Sequence, residues 1–182
     1  MISLVGIFSG CAGSQDDATS TAESLSNSID RTVGLAFEDN IPNQYNTKLD
    51  IIIVRSTINS ERPARLKARL SNTADEEQTY SLNPNPPLGQ LTSKNGPGQL
   101  LLVEANRAER ESSECWRISA PQHGDGRTEI MLASNESIEN TLDIWDASEE
   151  SCFPTGEYIF SPAIRLNDQY INYEFALKIT TQ

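Results

Sequence analysis

The sequence predicts an all-β protein, an antiparallel β-sandwich preceded by a flexible N-terminal tether. Apolar and polar residues alternate with a period of two in several segments, which is the pattern of half-buried strands. Turn-forming residues separate these segments, and no segment carries a convincing amphipathic helical pattern. The first 30 residues include a small, polar and acidic stretch that offers almost nothing to pack against a core.

The clearest strand is predicted at residues 64–70, ARLKARL, where apolar and basic residues alternate strictly. An extended strand places alternate side chains on opposite faces. The apolar face consists of Ala64, Leu66, Ala68 and Leu70, and the basic face consists of Arg65, Lys67 and Arg69. We expect the apolar face to be buried.

The C-terminal segment 170–179, YINYEFALKI, alternates in the same way, and we predict one continuous strand. The residues predicted to point inward are Ile171, Tyr173, Phe175, Leu177 and Ile179. Eight further strands are predicted at residues 33–37, 49–54, 78–82, 100–104, 116–119, 128–133, 141–145 and 158–166. Turn residues separate them at 71–72, 95–98, 124–126 and 167–168.

The N-terminus carries an apolar run at residues 2–8, followed by FSGC at residues 8–11. Small residues directly before a cysteine resemble a lipobox, where a lipoprotein precursor is cleaved and the cysteine receives a lipid. The resemblance implies a signal peptide at residues 1–10 and lipidation of Cys11. No Lys or Arg precedes the apolar run, which departs from the pattern unless translation starts upstream of Met1. A buried N-terminal strand ending in an ordinary cysteine is the alternative.

Residues 11–32 are predicted to be the tether and residues 33–182 the folded domain. Residues 14–24, SQDDATSTAES, have the composition of a solvated linker, and about 20 flexible residues span roughly 25 Å. We therefore expect the domain at the extracellular face of the cytoplasmic membrane, which it reaches through the lipid on Cys11.

The charge composition bears on partners and environment. Lys and Arg total 14 against 26 Asp and Glu, a formal net charge of −12, and this charge argues against a nucleic-acid partner. Arginine outnumbers lysine by ten to four, and an acidic surface with few lysines resembles proteins of salt-loving archaea. An ordinary acidic secreted protein is the alternative.

Three cysteines are present, which leaves one unpaired in an exported protein unless it has another use. If Cys11 carries the lipid, Cys115 and Cys152 remain, and outside the cytosol a disulfide is their expected state. We expect no metal and no cofactor, because these cysteines and His123 lack metal-binding spacing.

Several motifs follow one another in the last two thirds of the chain: Trp116 with Arg117, a strand at 130–132, a strand ending in Trp145 and Asp146, and GEYIF at 156–160. Their order is loosely similar to that of intracellular proteinase inhibitor (BsuPI-type) domains and related immunoglobulin-like modules. The similarity implies an immunoglobulin-like sandwich. The acidic tether and the G-E-Y-x-F motif also resemble surface lipoproteins of haloarchaea.

Two surface features are candidate partner-binding sites. Arg65, Lys67 and Arg69 would form a basic stripe on an acidic protein, although carboxylates on adjacent strands would neutralise it in the alternative we favour. The prolines Pro84, Pro86 and Pro87 stiffen the loop at residues 82–89. A rigid exposed loop suits docking or protease inhibition, and a stiff connection between sheets is the alternative we favour.

The sequence predicts no catalytic residue. His123 lies in a glycine-rich turn without a recognisable partner, which favours an exposed loop histidine. Asn135, in Asn-Glu-Ser, matches the pattern of a glycosylation acceptor. We expect a membrane-tethered, non-enzymatic extracellular module that binds a protein partner or helps to organise the cell envelope. The alternatives are a BsuPI-like protease inhibitor and, with less support, a hydrolase.

Overall fold

The computed structural model describes residues 29–105, 115–118, 126–148 and 151–182. These residues form thirteen β-strands and one three-residue 3-10 helix, Asn43–Tyr45. The strands in chain order are β1 (Arg31–Glu38), β2 (Thr47–Arg55), β3 (Thr57–Ile58), β4 (Arg65–Asn72), β5 (Gln78–Leu82), β6 (Leu91–Thr92), β7 (Leu100–Glu104), β8 (Thr128–Leu132), β9 (Ser137–Asp146), β10 (Gly156–Phe160), β11 (Ile164–Leu166), β12 (Gln169–Ile171) and β13 (Phe175–Thr181). Within these ranges no helix is long and apolar enough to cross a membrane.

The strands form three antiparallel sheets. The five-stranded sheet has the order β2-β4-β9-β7-β6, the sheet named here the β13 sheet has the order β10-β13-β1-β3, and the β5 sheet has the order β12-β11-β5-β8. Inward side chains of all three sheets join one hydrophobic cluster. The structure therefore confirms the predicted class, an all-β antiparallel fold with a sandwich-like, immunoglobulin-like arrangement.

Strand β4 shows how the alternation in the sequence builds the core. The four residues predicted to face inward are fully buried: Ala64, Leu66, Ala68 and Leu70. Burying a leucine side chain stabilises the fold by roughly 1.5–3 kcal/mol. Strand β4 pairs with β2 on one side and β9 on the other, so its basic residues lie on the outer face of the five-stranded sheet.

The C-terminal segment confirms the predicted burial but corrects the predicted strand. All five residues expected to point inward are buried: Ile171, Tyr173, Phe175, Leu177 and Ile179. The segment is nevertheless two strands, because β12 pairs with β11 in the β5 sheet and β13 pairs with β1 and β10 in the β13 sheet. Alternation reports which side chains face the core, and it stays the same while the chain changes its pairing partners.

The predicted strand at residues 158–166 is also two strands, β10 and β11, for the same reason. Strand β10 belongs to the β13 sheet and β11 to the β5 sheet. Pro162 lies between them, and its ring nitrogen has no proton to donate to a strand ladder. The chain therefore crosses between these two sheets twice, once at this proline and once after β12.

The predicted strand at residues 116–119 is wrong for its described residues. Arg117 forms an isolated parallel bridge with Asp146, at the end of β9. Strand β4 pairs with β9 only as far as Asp143, so a short stretch of β9 is left for a further partner. Two backbone hydrogen bonds join this stretch of β9 to residues 116–118: Asp146 N donates to Trp116 O, and Ile118 N donates to Asp146 O.

Candidate binding surface

The basic stripe on β4 is matched by acceptors on β9. The Arg65 guanidinium forms a bidentate pair with Asp143, with Nε–Oδ1 and Nη2–Oδ2 distances of 2.6 and 2.9 Å. Lys67 Nζ lies 3.0 Å from Glu139 Oε2. Arg69 donates to Ser137 Oγ and lies 3.8 Å from Glu139. Carboxylates on an adjacent strand thus neutralise the stripe, which is the alternative favoured from the sequence.

Asp143 is the centre of this pairing. Its side chain is 8% exposed and also lies 3.5 Å from Arg55 Nη2. The hydrogen bonds with Asp143 raise the pKa of Arg65, whereas burial and the neighbouring charge of Arg65 lower the pKa of Arg55. One buried carboxylate therefore holds two half-buried guanidiniums.

The proline loop is a compact connection with a small exposed tip. Pro84 and Asn85 are exposed, Pro86 is half-buried, and Pro87 is buried. Asn140 Nδ2 donates to Asn85 O across 3.1 Å. The loop folds back so tightly that a side chain at Gly89, whose φ is +60°, would collide with the carbonyl oxygen of Pro84. The tip is the part of this loop that a partner can reach.

The disulfide predicted between Cys115 and Cys152 is present, with a Cα–Cα distance of 5.9 Å. It holds the segment that covers one end of the outer face of the five-stranded sheet. There Trp116 packs edge-on against Trp145, with 5.5 Å between ring centroids, and the buried residues of this small cluster are Leu101, Val103 and Trp145. This role is structural.

Asp146 lies against the disulfide. It is fully buried, and its Oδ2 lies 3.6 Å from Cys115 Sγ and 3.2 Å from Arg117 Nη2. Burial raises the pKa of Asp146, and the hydrogen bond with Ser148 opposes this effect. Cys115, Asp146 and Cys152 place three potential metal-ligating atoms within 4.8 Å of one another. Both sulfurs are used in the disulfide, so they offer no thiolate to a metal.

Asn135 is exposed in the turn between β8 and β9, where its φ is +59°. Its side chain donates to Ser134 Oγ. Glycosylation of Asn135 stays a prediction. Cys11, the predicted lipidation site, and His123 lie outside the described residues.

Sequence reasoning missed the surface that stands out in the structure, the outer face of the β5 sheet. Tyr170 on β12 is 60% exposed and Met131 on β8 is 65% exposed. The alternation could have indicated both, since Tyr170 precedes the inward-facing Ile171 and Met131 precedes the buried Leu132. Nothing in their spacing shows that the two strands share a sheet.

One row of residues crosses this face from edge to edge. Tyr170 is opposite Arg165, Arg165 is opposite Ser81, and Ser81 is opposite Glu129. The Arg165 guanidinium carbon lies 4.5 Å from the centroid of the Tyr170 ring. The Arg127 guanidinium carbon, from the residue before β8, lies 5.6 Å from the same centroid. We call Arg127, Arg165, Tyr170 and Met131 the β5-sheet patch.

Two features border the β5-sheet patch. An open cleft of about 340 Å³ lies beside it, lined by Thr79, Ser81, Glu129, Asn167 and Asp168. The tip of the proline loop is also near, because a side chain at Gly126 would lie in ordinary contact, 3.5 Å, with Pro84 Cγ. The exposed loop tip predicted from the sequence and the patch missed by it are therefore neighbours.

No protein-family model matches the chain, and no curated protein or solved structure matches it either. The similarity to proteinase inhibitor domains and to lipoproteins stays a hypothesis drawn from the motifs in the sequence.

Proposed function

We propose that the protein is a non-enzymatic binding module of the cell envelope, held at the extracellular face of the cytoplasmic membrane by a lipid on Cys11. Its binding surface is the β5-sheet patch together with the tip of the proline loop. The partner is a protein.

The observation that carries this proposal is the exposure of Tyr170 and Met131 on one open sheet face. Aromatic, methionine and arginine side chains are enriched where proteins bind proteins, and all three types occur in the patch. The face lies on strands rather than on loops, so the fold holds it rigid. A rigid surface loses little entropy on binding.

Three features support the location. The FSGC sequence and the polar residues 14–24 fit a lipid anchor followed by a solvated linker. The disulfide fits an oxidising compartment outside the cytosol. Mass spectrometry of the protein isolated from its membrane should give a chain that starts at a lipid-modified Cys11. A free thiol at Cys11 would contradict the lipid anchor.

Photo-crosslinking tests the binding surface. A photoreactive amino acid at position 131 should give a discrete adduct with one protein on the native membrane. Excess unlabelled protein should suppress the adduct, whereas excess of a Met131→Glu/Tyr170→Ala variant should not. The matched control carries the photoreactive residue at Ile52, which is 48% exposed on the five-stranded sheet. Equal adducts from both positions would refute a specific surface on the β5 sheet.

A protease inhibitor is the second candidate, supported by the exposed and fixed tip at Pro84 and Asn85. It predicts stoichiometric inhibition of an extracellular protease that disappears when residues 84–87 are replaced by a flexible linker. Unchanged cleavage rates across a panel of extracellular proteases would exclude the inhibitor and leave the binding module as the remaining proposal.

A further inference from the structure

Two guanidiniums of the β5-sheet patch are not in ion pairs with any described residue. In the described ranges neither the Arg127 nor the Arg165 guanidinium forms an ion pair or a hydrogen bond, and Arg165 Nε is a buried donor without a partner. Both guanidiniums approach the ring of Tyr170, which offers a cation–π attraction but no negative charge. Guanidiniums bind carboxylates strongly, with two parallel hydrogen bonds to one group.

Strand β8, an end strand of the β5 sheet among the described strands, adds further exposed side chains to this face. Arg127, Glu129 and Met131 follow one another at spacings of two residues, and all three are exposed. They therefore lie on the outer face in the order cation, anion, apolar residue.

We infer that Arg127 and Arg165, whose guanidiniums both approach the ring of Tyr170, form a carboxylate-binding subsite, and that its ligand is an extended acidic segment of a partner protein that lies across the outer face of the β5 sheet. This inference rests on the proposed function and adds the chemistry of the partner. The segment presents a carboxylate to the two arginines, a hydrogen-bond donor or cation to Glu129 and an apolar side chain to Met131. Alternate side chains of an extended segment point to one face, so these three contacts supply the specificity.

A peptide fits the patch better than an acidic sugar polymer does. A sugar would stack on the aromatic ring, and the Arg165 guanidinium, 4.5 Å from its centroid, already covers that ring. Met131, 65% exposed, offers an apolar contact that a charged sugar cannot use.

Calorimetric titration tests the inference with two blocked peptides, Thr-Glu-Thr-Lys-Val-Leu-Thr and the same peptide with Gln in place of Glu. We expect the first to bind the wild-type protein about tenfold more tightly, the effect of one charge-assisted bidentate pair. This ratio should fall to about one in the Arg127→Gln/Arg165→Gln variant. It should persist in Arg69→Gln, which removes the same charge from the paired stripe.

The outcomes separate this inference from the proposed function. If neither peptide binds, or if the ratio is unchanged in the double variant, the carboxylate subsite is wrong. Crosslinks from position 131 would still support the binding surface in that case. Binding of polygalacturonate that depends on Arg127 and Arg165, without binding of either peptide, would overturn the peptide as the ligand.

Discussion

The outer faces of the five-stranded sheet and of the β5 sheet both carry arginines, but their surroundings differ. On the five-stranded sheet, Arg65 is held by a carboxylate directly opposite it on the next strand. On the β5 sheet, Arg165 is opposite a serine and a tyrosine. The first face satisfies its own charges, and the second leaves them to a partner. A basic pattern in one strand therefore indicates a binding site only when the neighbouring strands are known.

The disulfide holds the segment that covers one end of the five-stranded sheet. Removing this disulfide should give the largest loss of unfolding free energy. Closing a loop with a sequence separation of 37 stabilises a fold by about 4 kcal/mol. We expect the Cys115→Ala/Cys152→Ser variant to lose this amount of unfolding free energy in urea. Tryptophan fluorescence should shift as Trp116 separates from Trp145. A loss below about 1 kcal/mol would show that packing alone holds this cover.

Asp143→Asn should give the next largest loss of unfolding free energy, because it leaves Arg55 and Arg65 without a full counter-charge. Breaking a largely buried ion pair from one side costs about 2–3 kcal/mol at this degree of exposure. The matched control is Glu139→Gln, whose side chain is 44% exposed and should cost less than about 1 kcal/mol. Equal losses of unfolding free energy in the two variants, measured in urea, would contradict the central position of Asp143.

The two faces also show where sequence reasoning succeeds. The buried face of β4 and the inward residues of the C-terminal segment could be predicted, because alternation depends on neighbours along the chain. The pairing of Arg65 with Asp143, and of Arg165 with Tyr170, depends on which strands are adjacent. The breaks before β11 and after β12 escaped prediction because the chain changes sheet without changing its alternation. Those same two crossings bring Arg165 and Tyr170 of the β5-sheet patch into the β5 sheet.

Stability should respond to pH through Asp146. Burial raises its pKa above the usual value of 3.8, so the folded state binds more protons than the unfolded state between these two pKa values. Stability contributed by the protonated form is therefore lost as pH rises through this window. We expect the difference in unfolding free energy, wild type minus Asp146→Asn, to fall as pH rises from about 3.8. A flat difference would contradict a burial penalty at Asp146.

The smallest effect on stability is expected from the Arg127→Gln/Arg165→Gln variant. These guanidiniums have no ion pair to lose in the described part of the chain, and only their cation–π contacts with Tyr170 are removed, so the unfolding free energy should change by about 1 kcal/mol or less. Thermal unfolding checks this expectation. A large loss would mean that the arginines hold the β5 sheet together and would weaken their assignment to binding.

Arginine side-chain NMR compares the two faces most directly. With ¹⁵N-labelled arginine, the Nε–H proton of Arg65 should exchange slowly with water whether or not the glutamate peptide is present. The Nε–H proton of the exposed Arg127 should exchange quickly in the free protein, slow down when the glutamate peptide is added, and stay unchanged with the glutamine peptide. The Nε–H signal of Arg165, whose Nε is buried, should shift with the glutamate peptide only. Slow exchange at Arg127 as well as at Arg65 before any peptide is added would contradict the distinction between a paired face and an open one.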